Sequence, residues 1–438
     1  MAPTSVSIAW RRIPVTDAEV EPLTSGATRT RVDLLITNAI EILTCVPDGT
    51  DLVGRLHGQA IAIAGERIIG VAPLTEISST FDLSAARIYD ASGQIVAPGF
   101  VDSHTHLVFG GSRAQEYGLR MTHTAEEIEA LGIPTGIPAT VEMTRSAATR
   151  ELQKSGKKRL ERMMRHGTTT VESKSGYGLS LDEEIRILEV NRWLQEHQPL
   201  DVVSTFLGAH DFPAETSREA YVALLVNEMV PHVAERGLAE FCDVYCDDGY
   251  YTAYESRQIL EAGLSAGLLP KIHTDAYSDI GGAALAAELP VVSADHLNYT
   301  SRKRLHRLAQ AGVTAVVMPT LDFAVRHPRP FDGRAMIDEG LTVALATDFC
   351  PACWVESMQL VMALACRLYQ FSPEEALLAA TTGGAAALNL HDRGSIIPGK
   401  LADLQFWQVP TLADVIYRLG NNAVVAVIKR GLVFQFSD

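Results

Sequence analysis

Two rhythms of apolar residues divide the chain. In residues 32–89 short apolar runs alternate with turns, as in Asp33-Leu34-Leu35-Ile36-Thr37 and Ala60-Ile61-Ala62-Ile63-Ala64-Gly65-Glu66-Arg67-Ile68-Ile69-Gly70-Val71, and this predicts hairpins. The same signature returns in Asp403-Leu404-Gln405-Phe406-Trp407 and in residues 424–431, so the two ends are expected to form one small β-sandwich domain together. Between them, short β-rich runs alternate with longer helical stretches, the order of a parallel barrel. Eight candidate strands fall at residues 99–106, 168–174, 202–210, 241–246, 270–275, 291–296, 314–319 and 342–348. Eight is the number that closes a TIM-type (β/α)8 barrel. The expected fold class is therefore α/β. Its predicted division is a weakly structured tail at 1–30, small β domain at 31–96 and 396–438, and barrel at 97–395.

Composition narrows the partners. A chain of 438 residues with 47% hydrophobic and 21% charged positions can bury a large core. Its formal net charge of −16, without clustered Lys and Arg, argues against nucleic acid and for a small-molecule substrate. No stretch reads as a signal sequence or a membrane span, so the expectation is a cytoplasmic protein. Six cysteines are too few for a disulfide scaffold at this length and are read as thiols of a reducing compartment.

Among 13 histidines, His104 and His106 stand as His-x-His at the end of the first candidate strand. Side chains two apart on a strand share a face, so both imidazoles can meet one metal ion. His210 ends the third candidate strand, His273 lies in the fifth, His296 ends the sixth and Asp348 the eighth. A barrel builds its active site at those strand ends. Any one histidine alone could be a satisfied core residue, but agreement among several strand ends points to a site. His104, His106, His273 and Asp348 make a nitrogen and oxygen set for one divalent or trivalent ion, with a position open for water. Such an ion lowers the pKa of its water from ~16 towards ~7. His57, His123, His166, His197, His232, His306, His327 and His391 have no such context.

The run Pro98-Gly99-Phe100-Val101-Asp102-Ser103-His104-Thr105-His106, followed by Gly110-Gly111-Ser112-Arg113, resembles the metal-dependent amidohydrolase superfamily, and its tail resembles the imidazolonepropionases. Lys174-Ser175-Gly176-Tyr177-Gly178, Leu207-Gly208-Ala209-His210, Lys271-Ile272-His273, Ala294-Asp295-His296 and Ala346-Thr347-Asp348-Phe349 extend the likeness from about Val32 to the C-terminus. The resemblance implies opening of the 4-imidazolone-5-propionate ring to N-formimidoyl-glutamate by metal-activated water, and a homodimer. It implies zinc, with iron as the alternative, on the four ligands above. Asp348 would take the proton of the attacking water and His296 would polarise the carbonyl. Arg113 would grip the propionate, a carboxylate being well matched to a guanidinium fork. Tyr177 and His210 would contact the substrate. The lysine that dinuclear relatives carry on the fourth strand has no counterpart in residues 241–246, which favours one metal.

The likeness breaks on the ring side. Where the imidazolonepropionases place a glutamate three residues after the metal histidine, this chain has Ala276, and where they place an asparagine after Asp-Phe it has Cys350. The glycine-rich segment that usually follows the barrel's first helix is also altered, at residues 131–138. The expectation is a substrate with the same propionate arm and a different ring. A 2-thioxo-imidazolidinone propionate, desulfurised with release of sulfide, is one candidate, and a catalytically weakened ligand-binding homologue is another. Cys350 and Cys353 also form Cys-x-x-Cys. No second pair stands at a zinc-ribbon spacing, so both are read as pocket lining or packing rather than redox or structural zinc.

Overall fold

In a computed structural model, which describes residues 29–436, eight parallel strands run in chain order through one sheet. They are β1 (Phe100–Asp102), β2 (Thr168–Lys174), β3 (Asp201–Ala209), β4 (Phe241–Cys246), β5 (Leu269–Thr274), β6 (Ser293–His296), β7 (Thr314–Val317) and β8 (Val343–Leu345). All eight coincide with the runs expected from the sequence, though β1, β6, β7 and β8 are shorter. The predicted tail lies outside the described residues apart from Arg29 and Thr30.

The barrel closes just beyond the ends of β1 and β8. The amide of Asp348 donates to the carbonyl of His104 at 3.1 Å, and the amide of His106 donates to the carbonyl of Phe349 at 2.8 Å. Below them the Asp102 carboxylate accepts from the amide and hydroxyl of Thr347, at 3.1 and 2.6 Å. The seam of the barrel is thus also the seam of the candidate site. Helices cover the outside because their apolar residues recur on one face. In helix Thr149–Arg165 the buried positions are Leu152, Gly156, Arg159, Leu160, Met163 and Met164, a spacing of three and four.

The small β unit is a sandwich. One sheet runs Arg67–Pro73, Gln59–Ala64, Leu34–Thr37, Arg87–Asp90; the other runs Leu432–Gln435, Val424–Lys429, Leu404–Trp407, Ile95–Pro98, Glu41–Leu43, Arg55–Leu56. Alternate residues explain its layers. Leu34, Ile36, Ile61 and Ile63 of the first sheet share a core with Ile42, Val96, Leu404, Phe406 and Ile428 of the second. Their neighbours Leu35, Ala60 and Ala62 turn away, towards Ile77 of helix Leu74–Thr80, while Leu43, Ile95, Trp407 and Val427 join the barrel's core. Strand Ile95–Pro98 pairs antiparallel with Leu404–Trp407, which welds the two ends of the chain. That strand also runs across the boundary expected at residue 96. Among the described residues, no helix is long and apolar enough to cross a membrane.

Candidate metal centre and active site

His104, His106, His273, His296 and Asp348 are all buried at the C-terminal ends of the barrel strands. One ring nitrogen from each of His104, His106 and His273 lies within 4.8 Å of the others, and His104, His296 and Asp348 form a second such group. The Asp348 Oδ1 stands 3.6 Å from Nε2 of His104 and 3.6 Å from Nε2 of His106. Nε2 of His104, Nε2 of His273 and Oδ1 of Asp348 are buried with no hydrogen-bond partner among the described residues. Buried polar atoms are rarely left unsatisfied, and orphans gathered in two donor groups that share His104 are what a bound cation explains. Three imidazole nitrogens and a carboxylate oxygen fit zinc and iron alike.

The far side of each ring sets which nitrogen faces the centre. His104 donates from Nδ1 to Asp295 Oδ2 at 2.6 Å, and His273 donates from Nδ1 to Asp243 Oδ1 at 3.1 Å. Each bond leaves the Nε2 lone pair for a ligand-binding role. Burial, then the Lys174 ammonium, holds His104 well below the usual imidazole range; burial, then His210, does the same to His106. Neutral rings are the form that binds metal. Burial pushes the Asp348 carboxyl up to about 7 despite the pull of His273 and Lys174, so a cation beside it is what would keep it ionised. His296 is driven down by burial and then by His273, and it too is neutral. His296 and Asp348 take left-handed φ values of 81° and 46°, backbone strain of roughly 1–2 kcal/mol each that recurs where side chains must be aimed.

A cavity of about 540 Å³ rises from these residues, with Arg113, Tyr177, His210 and Cys350 on its wall. His210 stacks on His106 at 4.8 Å and donates from Nδ1 to the Gly176 carbonyl at 3.1 Å. Burial, then His273, lowers it to about 3. The Gly-Tyr-Gly loop that carries Tyr177 is pinned by the buried Glu184 carboxylate, which accepts from the amides of Gly176, Gly178 and Leu179 at 2.7–2.8 Å. Gly176 is required there: its φ is +105°, and a Cβ would lie 2.8 Å from the Leu207 carbonyl oxygen. The Arg113 guanidinium forms a fork with Glu116, at 2.6 and 2.7 Å, and Arg120 joins the same carboxylate at 2.8 Å. The fork uses Nε and Nη2 of Arg113.

Two expected pocket residues do not reach the cavity wall. Ala276 is buried and is not among the residues that line it. Cys353 is fully buried because the Cys350–Cys353 turn, closed by two backbone bonds of 3.1 Å, points its thiol at the Thr347 carbonyl. Cys350 does line the cavity, and burial followed by the nearby Asp348 keeps its thiol protonated. The residues 131–138 singled out in the sequence contribute Gly136 and Ile137 to the wall. Sequence reasoning missed Asp243 and Asp295, and also Tyr245, Tyr250 and Tyr277 of the wall. Tyr245, paired in register with His273, carried a usable strand-end signal; Asp243, two residues earlier inside β4, did not.

Barrel, neutral imidazole cluster and cavity define a metal-dependent hydrolase of the amidohydrolase class. An amidohydrolase family profile matches residues 280–433. The chain is 43% identical to the imidazolonepropionase of Geobacillus kaustophilus over 387 residues, covering 87% of this chain and 91% of that one. It is 44% identical to the imidazolonepropionase of Symbiobacterium thermophilum over 413 residues, covering 91% and 96%. A solved adenosine deaminase from Xanthomonas campestris with bound zinc shares the fold, with a TM-score of 0.72 at 20% identity over 92% and 93% of the two chains. This chain belongs to the imidazolonepropionase family, hydrolases that act on a cyclic carbon–nitrogen bond.

Proposed function

We propose that this enzyme opens the five-membered ring of 4-imidazolone-5-propionate to N-formimidoyl-glutamate, with one zinc ion, or iron in its place, on His104, His106, His273 and Asp348. The observation that carries this is that Nε2 of His104, Nε2 of His273 and Oδ1 of Asp348 are buried and unpartnered, in two donor groups that share His104, at a cavity that Arg113 lines. When bound, the ion supplies Lewis acidity and brings the pKa of a water towards ~7. Asp348 would accept a proton from the attacking water, and neutral His296 would donate a hydrogen bond to the ring carbonyl. Arg113 takes the propionate through Nη1, helped by Arg120 as the two share Glu116. Tyr177 and His210 orient the ring. We place the enzyme in the cytoplasm as a homodimer.

A second reading is favoured by Cys350, whose thiol lines the cavity next to Asp348 where the resemblance leads one to expect asparagine. The substrate would then be the 2-thioxo-imidazolidinone counterpart, and the product would include sulfide. Metal-quantified protein should be assayed with both compounds side by side, scoring formimidoyl-glutamate and sulfide separately. Formimidoyl-glutamate supports the first reading, and sulfide alone supports the second. No turnover of either by protein holding one metal per chain leaves a ligand-binding homologue.

A further inference from the structure

Behind the metal ligands lies a fully buried ionic cluster that the proposed chemistry does not use. Lys174, at the end of β2, has its side chain completely enclosed. Its Nζ donates to Asp243 Oδ2 at 2.8 Å and to Glu172 Oε1 at 2.9 Å, and stands 3.5 Å from Asp295 Oδ2. Three carboxylate oxygens therefore surround one point, each from a different strand. Two of those carboxylates are the ones that orient His104 and His273. Asp243, His273 and Asp295 also present three donor atoms within 4.8 Å of one another, the geometry of a second cation site. Glu172 keeps Oε2 buried and unpartnered beside it. Lys271, sharing Glu172 Oε1 at 3.0 Å, donates otherwise to the Ser103 and Ala387 carbonyls.

We propose that the Lys174 ammonium is a resident cation standing where a second metal ion would otherwise sit, so that it makes the centre mononuclear and locks both orienting carboxylates. Three carboxylates without a positive charge among them could not remain buried and ionised together. A fixed ammonium satisfies them through directed hydrogen bonds and cannot be lost to a chelator. Hard oxygen donors in this number suit an ion such as Mn2+ if the ammonium is removed. The role assigned to Lys174 as a positioning residue rests on the metal assignment made above for His104, His106, His273 and Asp348.

The test loads the full chain with zinc, titrates Mn2+ and counts bound Mn2+ by electron paramagnetic resonance, in wild type and in Lys174→Ala. Wild type should saturate at one metal per chain even in excess Mn2+. Lys174→Ala should take up one additional Mn2+, and the further change Glu172→Gln should weaken that ion at least tenfold. A second ion in wild type, or none in a folded Lys174→Ala, overturns the proposal. If Lys174→Ala folds poorly, its melting temperature is compared with propylammonium and with the neutral 1-butanol. Rescue by the ammonium alone supports a resident cation, and equal rescue by both shows mere space filling and overturns it. Wild type that binds no zinc would remove the primary metal assignment and with it the positioning role, whereas Lys174→Ala gaining Mn2+ in that case would still show that the ammonium fills a cation site.

Discussion

His104 and Asp295 are joined by a 2.6 Å hydrogen bond that links strands separated by 191 residues of sequence. The carboxylate does not line the cavity; it fixes the ring's tautomer and aims Nε2 at the proposed metal position. Partners of this kind are worth roughly 10- to 100-fold in metal affinity. Asp295→Ala should therefore release zinc to a chelator at a correspondingly lower concentration, while Asp295→Asn, which still offers an acceptor oxygen, should lose less. Unchanged affinity in Asp295→Ala would remove the orienting role.

Arg113 makes the second prediction. It already shares Glu116 with Arg120, so the site carries one guanidinium charge beyond what Glu116 neutralises. A hydrogen bond to a charged group contributes about 1.5–3 kcal/mol. Arg113→Met should raise KM for a propionate-bearing substrate by roughly tenfold to a hundredfold with kcat little changed. A ring analogue lacking the propionate should be turned over equally by both proteins. Equal KM values for the propionate substrate would show that another group grips the arm.

The third concerns the opposite end of the barrel, where Asp201 opens β3. Its carboxylate takes Lys429 at 2.9 Å, Arg430 at 3.1–3.2 Å and Arg393, while Lys429 also donates to Asp403 at 2.6 Å. The barrel is thereby tied to the last strands of the sandwich. Burial raises the Asp201 carboxyl, but Lys429 and Arg393 outweigh it and bring it down to about 2. A folded pKa below the unfolded value of roughly 3.9 stabilises at neutral pH, and that contribution fades as pH falls from about 4 through 2. Asp201→Asn should cost about 2–3 kcal/mol at pH 7, and the gap in melting temperature from wild type should narrow near pH 3. A gap constant with pH would show that the ion cluster is not its source.

Much of this protein was legible in one dimension. The barrel strands stood out as short β-rich runs alternating with longer helical stretches, although β2 and β6 are largely polar. His104 and His106 announced themselves through their His-x-His spacing, although in the structure they follow β1, which ends at Asp102. Only the tertiary structure decided what lies behind them. Asp243, Asp295 and Lys174 come from three strands, and a buried charge in a sequence is indistinguishable from a solvated one until its partners are in place. The Cys350–Cys353 turn sends one thiol to the cavity and the other to the Thr347 carbonyl, and Ala276 is buried without lining the cavity. Periodicity is a local property and survives in the sequence, whereas pairing of charges and the outlook of a side chain depend on contacts between distant segments, which exist only once the barrel has closed.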